Sequence, residues 1–507
     1  MTLRNTKWHL WVAALTFGVL LQVPPASAQT VVKSPNDKRD YESFVLPNQL
    51  KVVIISDPST DKAAAALDVF VGSGSNPERW PGLAHFLEHM LFLGTKKYPQ
   101  ANEYQAFISQ HGGRHNAYTA YEHTNYFFDV DKDYLEPALD RFAQFFIAPL
   151  FTPQYVDRER KAVDSEYQAR IKSDGMRVLY AWKAVTNPEN PFSHFDIGSL
   201  DTLTDHDDRK LRDALIDFYE RHYSANIMAL VVLGKESLPT LKQWVTEKFG
   251  AVKNIGARPL RTSASLFVPG TLPARLNVVS LKDRRGLTLS FPIPPVIEHY
   301  RSKPTHYIAN LLGHEGKGSL LSLLKGKGWV DTLSAGLGVN NMNNATFDIS
   351  MSLTKAGMQH IPEIVPYVFQ YIELIRNRGI AEWLFDEQRR LAEISFRFQE
   401  KRTAFRYASG LASNLQVYPA IEVIRGPYEM EQYDPALIRR YLEKLRPDNA
   451  LITVNAKGLA TNTTEPWFNA TYEISHIQTG TIRRWQTAAV DPILAIPKPN
   501  IFLPDNL

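Results

Sequence analysis

The sequence predicts an α+β protein made of two homologous sheet-plus-helix domains of about 225 residues each. Strand-like apolar runs are mixed with long helical patterns along the chain. Three short segments also recur at nearly constant offsets of 223, 226 and 229 residues. The 507 residues exceed the size of one typical domain. We therefore expect a first domain at 29–256, a linker rich in proline and glycine at 257–273, and a second domain at 274–507.

The composition excludes several classes of protein and of site. Hydrophobic residues make up 44% of the chain and charged residues 22%, which is typical of a folded protein. The net charge of +4 is too small to indicate a nucleic-acid partner. Cysteine is absent, which excludes disulfides, a thiol nucleophile and Cys-ligated metal. A metal site would therefore have to use His, Asp and Glu.

Residues 1–28 have the pattern of a secretory signal peptide. Two basic residues precede an apolar run from about Leu10 to Val23, and small residues at 26–28 form a cleavage site. The alternative is a membrane anchor, but this run of about 14 residues is shorter than the roughly 20 that a span needs. We expect export to the periplasm and no membrane segment after cleavage.

Periodicity and turn residues predict the elements of the first half in order. Pro81 begins a helical pattern that continues through Leu93, and Gly94 ends it. Thr152 and Pro153 are an N-cap and a first helical residue. Strands are expected at 51–55, 63–71, 118–130 and 227–233, and further helices at 134–146, 152–171 and 211–223.

The second half repeats parts of this order. The helix and strand around Asn226 resemble the helix at 437–445 and the strand at 450–454 around Asn449. Residues 155–160 and 142–145 resemble residues 384–389 and 368–371. Each match alone is weak, but their agreement in offset indicates a duplicated domain.

One motif carries chemistry. In His85-Phe86-Leu87-Glu88-His89 the two histidines are four residues apart and project from one helix face, so both imidazoles can reach one ion. Glu88 borders that face and can approach a water on the metal. The spacing is that of the inverted zincin motif. The alternative is a histidine pair that is only hydrogen-bonded or solvated.

A catalytic zinc usually takes a third protein ligand, and the residues leave its identity open. His111 and His115 have loop-like surroundings, and His123 lies in a strand-like stretch. Glu159 and Glu166 are seven residues apart and share a helix face. Two acids on one helix face are as readily solvent-exposed as bound to metal.

These residues lie within a broader resemblance to the pitrilysin–insulysin family of metallopeptidases. The resemblance covers nearly the whole chain after residue 28. It is carried by residues 82–99, 102–104, 116–119, 122–126, 139–146 and 162–166, and in the second half by residues 313–321 and 327–329.

The resemblance implies a role for each residue of the motif region. His85, His89 and Glu166 would be the ligands of one zinc ion per chain, and Glu88 would be the general base. Glu159 would orient a zinc-bound histidine from behind. The second copy has Leu311 and Ser395 at the positions that correspond to His85 and Glu166, so it is expected to lack metal ligands.

The resemblance also implies where a peptide binds. A substrate would lie along a strand edge at Asn116, Ala117 and Tyr118, and backbone hydrogen bonds would hold it without demanding one sequence.

The glycine-rich segment with Gly313, Gly316 and Gly318 resembles the family region that anchors a substrate N-terminus away from the zinc. The alternative for this segment is a loop that only caps a helix.

The expected function is that of a secreted zinc endopeptidase acting on peptides and small proteins. The alternatives are a non-catalytic peptide-binding or structural subunit, and a peptidase dedicated to maturing one peptide. Residues 497–504 resemble the junction after the second of four family domains. The resemblance therefore leaves three alternatives: a separate C-terminal-half partner chain completes the site, this chain pairs differently, as by self-association, or it is a truncated product.

Overall fold

Two mixed β-sheets organise the chain in the computed structural model, which describes residues 30–504. The predicted signal peptide at 1–28 lies outside the described residues. None of the helices in the described part of the chain has the length and apolar character needed to span a membrane.

The first sheet has six strands in the order β1-β2-β6-β3-β5-β4. β2 and β6 are parallel, the other neighbours are antiparallel, and β1 and β4 are the edges. The strands are β1 Asp40–Val45, β2 Lys51–Ser56, β3 Lys62–Val69, β4 Arg114–Thr119, β5 Thr124–Asp131 and β6 Met228–Gly234.

The helices of the first half begin and end close to the predicted positions. The helix expected at 152–171 spans 153–170, with proline at its first turn. The helices are α1 Leu83–Leu91, α2 Glu103–Gln110, α3 Leu135–Ala143, α4 Pro153–Arg170, α5 Asp174–Ala184, α6 Leu211–His222 and α7 Leu238–Phe249.

The second sheet has seven strands in the order β12-β13-β7-β11-β8-β10-β9. The run β7-β11-β8-β10-β9 repeats the first sheet's run β2-β6-β3-β5-β4, including its parallel pair. The predicted fold class of two homologous sheet-plus-helix domains is therefore confirmed. The strands are β7 Ala274–Val279, β8 Gly286–Ile293, β9 Val330–Asn340, β10 Ala345–Leu353, β11 Leu451–Ala456, β12 Thr463–Thr464 and β13 Thr471–His476.

Helices cover the second sheet as well. The predicted linker at 257–273 lies between α7 and β7, and the division of the chain at this point stays a prediction. The helices are α8 Pro304–Leu312, α9 Leu320–Gly326, α10 Lys355–Gln359, α11 Ile361–Arg378, α12 Glu382–Arg397, α13 Ala404–Val417, α14 Pro435–Leu442 and α15 Thr479–Gln486.

The single strand predicted at 118–130 is wrong, because the chain forms a hairpin there. β4 ends at Thr119 and β5 begins at Thr124, so His123 lies in the turn. The loop expected around His115 is wrong as well, since His115 lies inside β4. The turn packs against residues 72–74, where the N–H of Ser73 donates to the Ala120 carbonyl at 2.9 Å. The Tyr- and Thr-rich composition on both sides hides this break.

Each face of the first sheet has its own hydrophobic core. Along β3, Ala63 and Ala65 pack toward α1, α3, α6 and α7, whereas Ala64 and Ala66 face the opposite way. That opposite face is covered by α13, which comes from the second half of the chain and buries Leu411 there.

A polar cluster crosses the contact between α13 and the first sheet. The Asp68 carboxylate is buried and accepts hydrogen bonds from Asn125 Nδ2 at 2.9 Å and from Ser413 Oγ on α13 at 3.0 Å. His123 Nδ1 lies 2.7 Å from the same carboxylate. Burial alone would lower the pKa of His123, but the hydrogen bond to Asp68 outweighs it and raises that pKa.

This pair predicts a pH-dependent stability. The stabilisation is full below the unfolded-state pKa of His123, about 6.5, and is lost as pH rises through the raised folded-state pKa. The difference in thermal midpoint between the parent and His123→Gln is therefore expected to be larger near pH 6 than near pH 9. His111→Gln, outside this interface, is the control. A difference for His123→Gln that stays constant over this range would contradict the assignment.

Candidate metal centre

Helix α1 places both motif histidines on one side. Leu83, Phe86, Leu87 and Met90 are buried in the core of the first half, because apolar residues recur at helical spacing in this segment. The remaining face carries the two imidazoles toward α4. The sequence pattern therefore determines which side of α1 can bind a ligand.

His85, His89 and Glu166 come together between α1 and α4. The Nε2 atom of His85 lies 3.8 Å from Oε2 of Glu166, and that of His89 lies 3.6 Å from Oε1. One ligand atom from each residue lies within 4.8 Å of the others. In the residues that the structure describes, this is the one cluster of three such groups. His111, His115 and His123 lie outside it.

Each imidazole also has a partner at its other nitrogen. His85 Nδ1 lies 2.7 Å from the backbone carbonyl oxygen of Ile197, and His89 Nδ1 lies 3.4 Å from Glu159 Oε2. Both oxygens are acceptors, so each Nδ1 carries the hydrogen and each Nε2 offers its lone pair to the cluster. Arg158 Nε holds Glu159 from the side at 2.9 Å. The structure thus places Glu159 where the sequence analysis expected an orienting acid.

A contact between two glycines brings the Ile197 carbonyl to His85. Gly82 precedes α1 with a φ of +93°, and Gly198 follows Ile197 with a φ of +95°. A Cβ atom on Gly82 would lie 2.3 Å from Gly198 Cα. Only glycine at both positions permits this approach without strain.

The charges around the cluster favour a cation. Burial alone would lower the pKa of His89, but the Glu159 hydrogen bond and the charges of Glu88 and Glu166 outweigh it and raise that pKa. Two imidazole nitrogens and one carboxylate are a donor set of the catalytic zinc type, with three protein ligands. The residues present therefore fit zinc.

A cleft of about 780 Å³ contains the cluster together with Glu88 and strand β4. Glu88 is buried, and its Oε2 accepts a hydrogen bond from Thr119 Oγ1 at 2.6 Å. β4 is an edge of the sheet, and Asn116, Ala117 and Tyr118 line the cleft. The structure therefore puts the predicted base, ligands and strand edge beside one another.

Successive side chains of β4 point to opposite faces of the sheet. Ala117 packs on the core beneath the cleft, whereas Tyr118 reaches α13, where its hydroxyl lies 2.9 Å from Ser413 Oγ. The backbone groups of β4 on the side away from β5 are thus the part of the edge open to a ligand strand.

The glycine-rich segment of the second half lies elsewhere. Gly313 and Gly316 line a groove of about 610 Å³ together with Leu333 and Ala335 of the edge strand β9. Gly318 lies against the C-terminal segment instead, and its carbonyl accepts from the N–H of Ala495 at 2.9 Å. The structure therefore brings two of the three predicted glycines to a groove and separates the third.

Two residues of the centre escaped the sequence analysis. Ile197 acts through its backbone carbonyl, a group that every residue has, so its side chain gave no reason to predict this role. Thr119 stands inside a segment that carried the family resemblance, but its spacing from Glu88 in sequence gave no reason to pair them.

Three family models match successive segments of the chain. Residues 51–189 match the insulinase (peptidase family M16) model. Residues 210–391 match the peptidase M16 inactive domain, and residues 396–507 match the middle or third domain of peptidase M16. The segment with the metal cluster is thus the one that matches the peptidase model.

Individual relatives match over almost the whole chain. Human insulin-degrading enzyme is 43% identical over 481 residues, which are 94% of this chain and 47% of that protein. The A-factor-processing enzyme of Saccharomyces cerevisiae is 37% identical over 479 residues, again 94% and 47%. The crystal structure of pitrilysin superposes with a TM-score of 0.92 at 33% identity, covering 95% of this chain and 52% of that one. The chain spans about half the length of these proteins.

The geometry predicts one metal site per chain. The purified protein is expected to bind about one zinc ion. His85→Ala and Glu166→Ala are each expected to lose it, because a three-ligand site rarely survives the loss of one ligand. His115→Ala is the control, because His115 lines the same cleft but lies outside the cluster. Metal analysis after gel filtration measures this, and stoichiometric zinc in both ligand variants would contradict the assignment.

Proposed function

This chain belongs to the insulinase family, peptidase family M16, and from that premise we propose that it is a zinc-dependent endopeptidase for peptides and small proteins. The observation that carries the proposal is the meeting of His85, His89 and Glu166 with buried Glu88 in one cleft beside an unpaired strand edge. Export to the periplasm, expected from residues 1–28, is part of the proposal.

The proposed chemistry assigns one task to each group. His85, His89 and Glu166 would hold zinc, which when bound lowers the pKa of water and polarises a carbonyl. Glu88 takes the proton of the attacking water and later gives it to the leaving amine nitrogen. Glu159 and the Ile197 carbonyl keep the imidazoles in the tautomer and orientation that binding needs.

Strand β4 would hold the substrate. An extended peptide can add to this edge by backbone hydrogen bonds, so affinity does not require a particular sequence. The hydroxyl of Tyr118 is held by Ser413 of α13, at the border of the cleft that Tyr118 helps to line. This arrangement favours an enzyme of broad specificity over one dedicated to a single peptide.

The groove beside β9 offers a second place for the same substrate. The β9–β10 turn meets the turn after β4, where the N–H of Met342 donates to Glu122 at 2.9 Å. The turns that adjoin the two exposed strand edges are thereby in contact. We assign Gly313 and Gly316 to the anchoring of a peptide end, and peptides long enough to reach both edges are the expected substrates.

The competing hypothesis is that this chain is a non-catalytic subunit. Subunits that only bind peptide need neither a base nor metal ligands. The intact set of His85, Glu88, His89 and Glu166 supports the enzyme instead.

Glu88→Gln is expected to keep zinc and to lose at least about a hundredfold in turnover, because the amide preserves size but cannot accept a proton. Glu189→Gln, at an exposed loop position, is the control. Cleavage of a quenched peptide library and metal analysis on the same samples measure both quantities. A near-normal rate for Glu88→Gln would mean that another residue is the base.

The open side of the cleft predicts a second requirement. The Glu166 side chain is 42% exposed, so a peptide on β4 would face solvent opposite the strand. The resemblance implies that the other half of the family's proteins closes this side and supplies donors to the oxyanion, and losing one such donor costs about 10²–10³ in rate. This chain alone is therefore expected to be a poor peptidase.

Titrating in a chain that corresponds to the other half of the relatives is expected to raise cleavage steeply at unchanged zinc content. If the chain alone cleaves as fast as the mixture, the requirement is wrong. Self-association would then be the better account of how the cleft is closed.

A further inference from the structure

We propose that Thr119 is a positioning residue for Glu88: its hydroxyl fixes one carboxylate oxygen so that the other is available to the attacking water. The inference rests on the proposed peptidase function. It assigns a role to a side chain for which the sequence gave none.

The contact itself is short and well placed. Thr119 Oγ1 donates to Glu88 Oε2 at 2.6 Å, in the range of a charge-assisted hydrogen bond. Thr119 is the last residue of β4 and shares a strand face with Ala117, whose side chain packs on the core side. The hydroxyl therefore approaches α1 from the strand.

Glu88 has little freedom to find another partner. Glu88 is only 7% exposed, although it lines the cleft. The nearby hydroxyls of Tyr126 and Tyr223 are 2.7 Å apart and bond to each other. Burial is the main cause that raises the pKa of both tyrosines, and the charge of Glu88 is a smaller contribution, so both hydroxyls keep their protons.

The sheet holds Thr119 firmly. Thr119 faces Thr124 across the β4–β5 hairpin, and Thr124 Oγ1 donates to the Val71 carbonyl at 2.8 Å. The position of the hydroxyl is therefore set by strand pairing, not by a free loop.

The proton transfer explains why this orientation matters. In the attack, one O–H bond of water breaks and its proton passes to Glu88 Oε1. The water oxygen bonds to the peptide carbonyl carbon as the π pair of the C=O bond moves to the carbonyl oxygen, from which it returns when the leaving group departs. The same proton then moves to the leaving amine nitrogen as the C–N bond breaks, so that one water is consumed. A carboxylate free to rotate would present Oε1 to the water for only part of the time.

β4 also links the Thr119–Glu88 hydrogen bond to substrate binding. The residue that orients the base directly follows Tyr118, on the strand whose edge would carry the peptide. A peptide paired in register with β4 is thereby placed in register with Glu88 as well.

The test compares Thr119→Val, which keeps the shape but removes the hydroxyl, with Thr119→Ser, which keeps the hydroxyl. Thr119→Val is expected to lower kcat about 10- to 100-fold, the effect of losing a hydrogen bond to a charged group, with KM and zinc content nearly unchanged. Thr119→Ser is expected to restore most of the rate. Thr119→Ala serves if the valine variant does not fold.

A merely structural hydroxyl would give a different result. An unchanged kcat in Thr119→Val, an effect confined to KM, or equal losses in the valine and serine variants would each overturn the inference. Crystal structures of the parent and Thr119→Val add a readout that does not need activity, since the Glu88 carboxylate is expected to rotate. If the carboxylate stays in place, the positioning role is wrong. The proposed function would be refuted by a different result, namely that the parent chain binds zinc but cleaves no peptide even after the chain corresponding to the other half of the relatives is added.

Discussion

The two hydrogen bonds behind the imidazoles are the interactions on which the candidate metal centre depends. The Nε2 atoms of His85 and His89 can bind the same ion because the Nδ1 atoms are hydrogen-bonded to the Ile197 carbonyl and to Glu159. These partners come from a loop far along the chain and from α4. The centre therefore exists only when α1, α4 and that loop are packed together, and the Gly82–Gly198 contact is the point where the backbone permits it.

The two duplicated halves contribute different parts of the candidate site. The second sheet repeats the strand order of the first, but Leu311 and Ser395 stand where a ligand pair would be needed. This half contributes instead the groove beside β9 and the helix α13, which covers the outer face of the first sheet. Asp68 and Ser413 join the two halves across that face. The sheet whose edge would bind peptide is thus supported from behind by a helix of the second half.

Much of this arrangement could be predicted from local patterns. The i, i+4 spacing predicted the histidine pair, and the seven-residue spacing put Glu159 and Glu166 on one face of α4. Spacing alone could not decide which acid contacts the metal, because the two acids share one helix face. The family resemblance made that choice, and the structure places Glu166 in front of the imidazoles and Glu159 behind His89.

The features that escaped prediction depend on contacts between distant segments. The turn at 120–123 is formed by packing against residues 72–74, not by turn residues of its own. The Thr119–Glu88 hydrogen bond joins a strand to a helix 31 positions away.

The central claim is that His85, His89 and Glu166 hold one zinc ion and leave a coordination position open in the cleft. Anomalous diffraction at the zinc absorption edge, on crystals of the zinc-loaded chain, tests it most directly. The account predicts one strong peak at about 2.0–2.2 Å from the two Nε2 atoms and the Glu166 carboxylate. A principal peak bound by other side chains, for example His115, would contradict it.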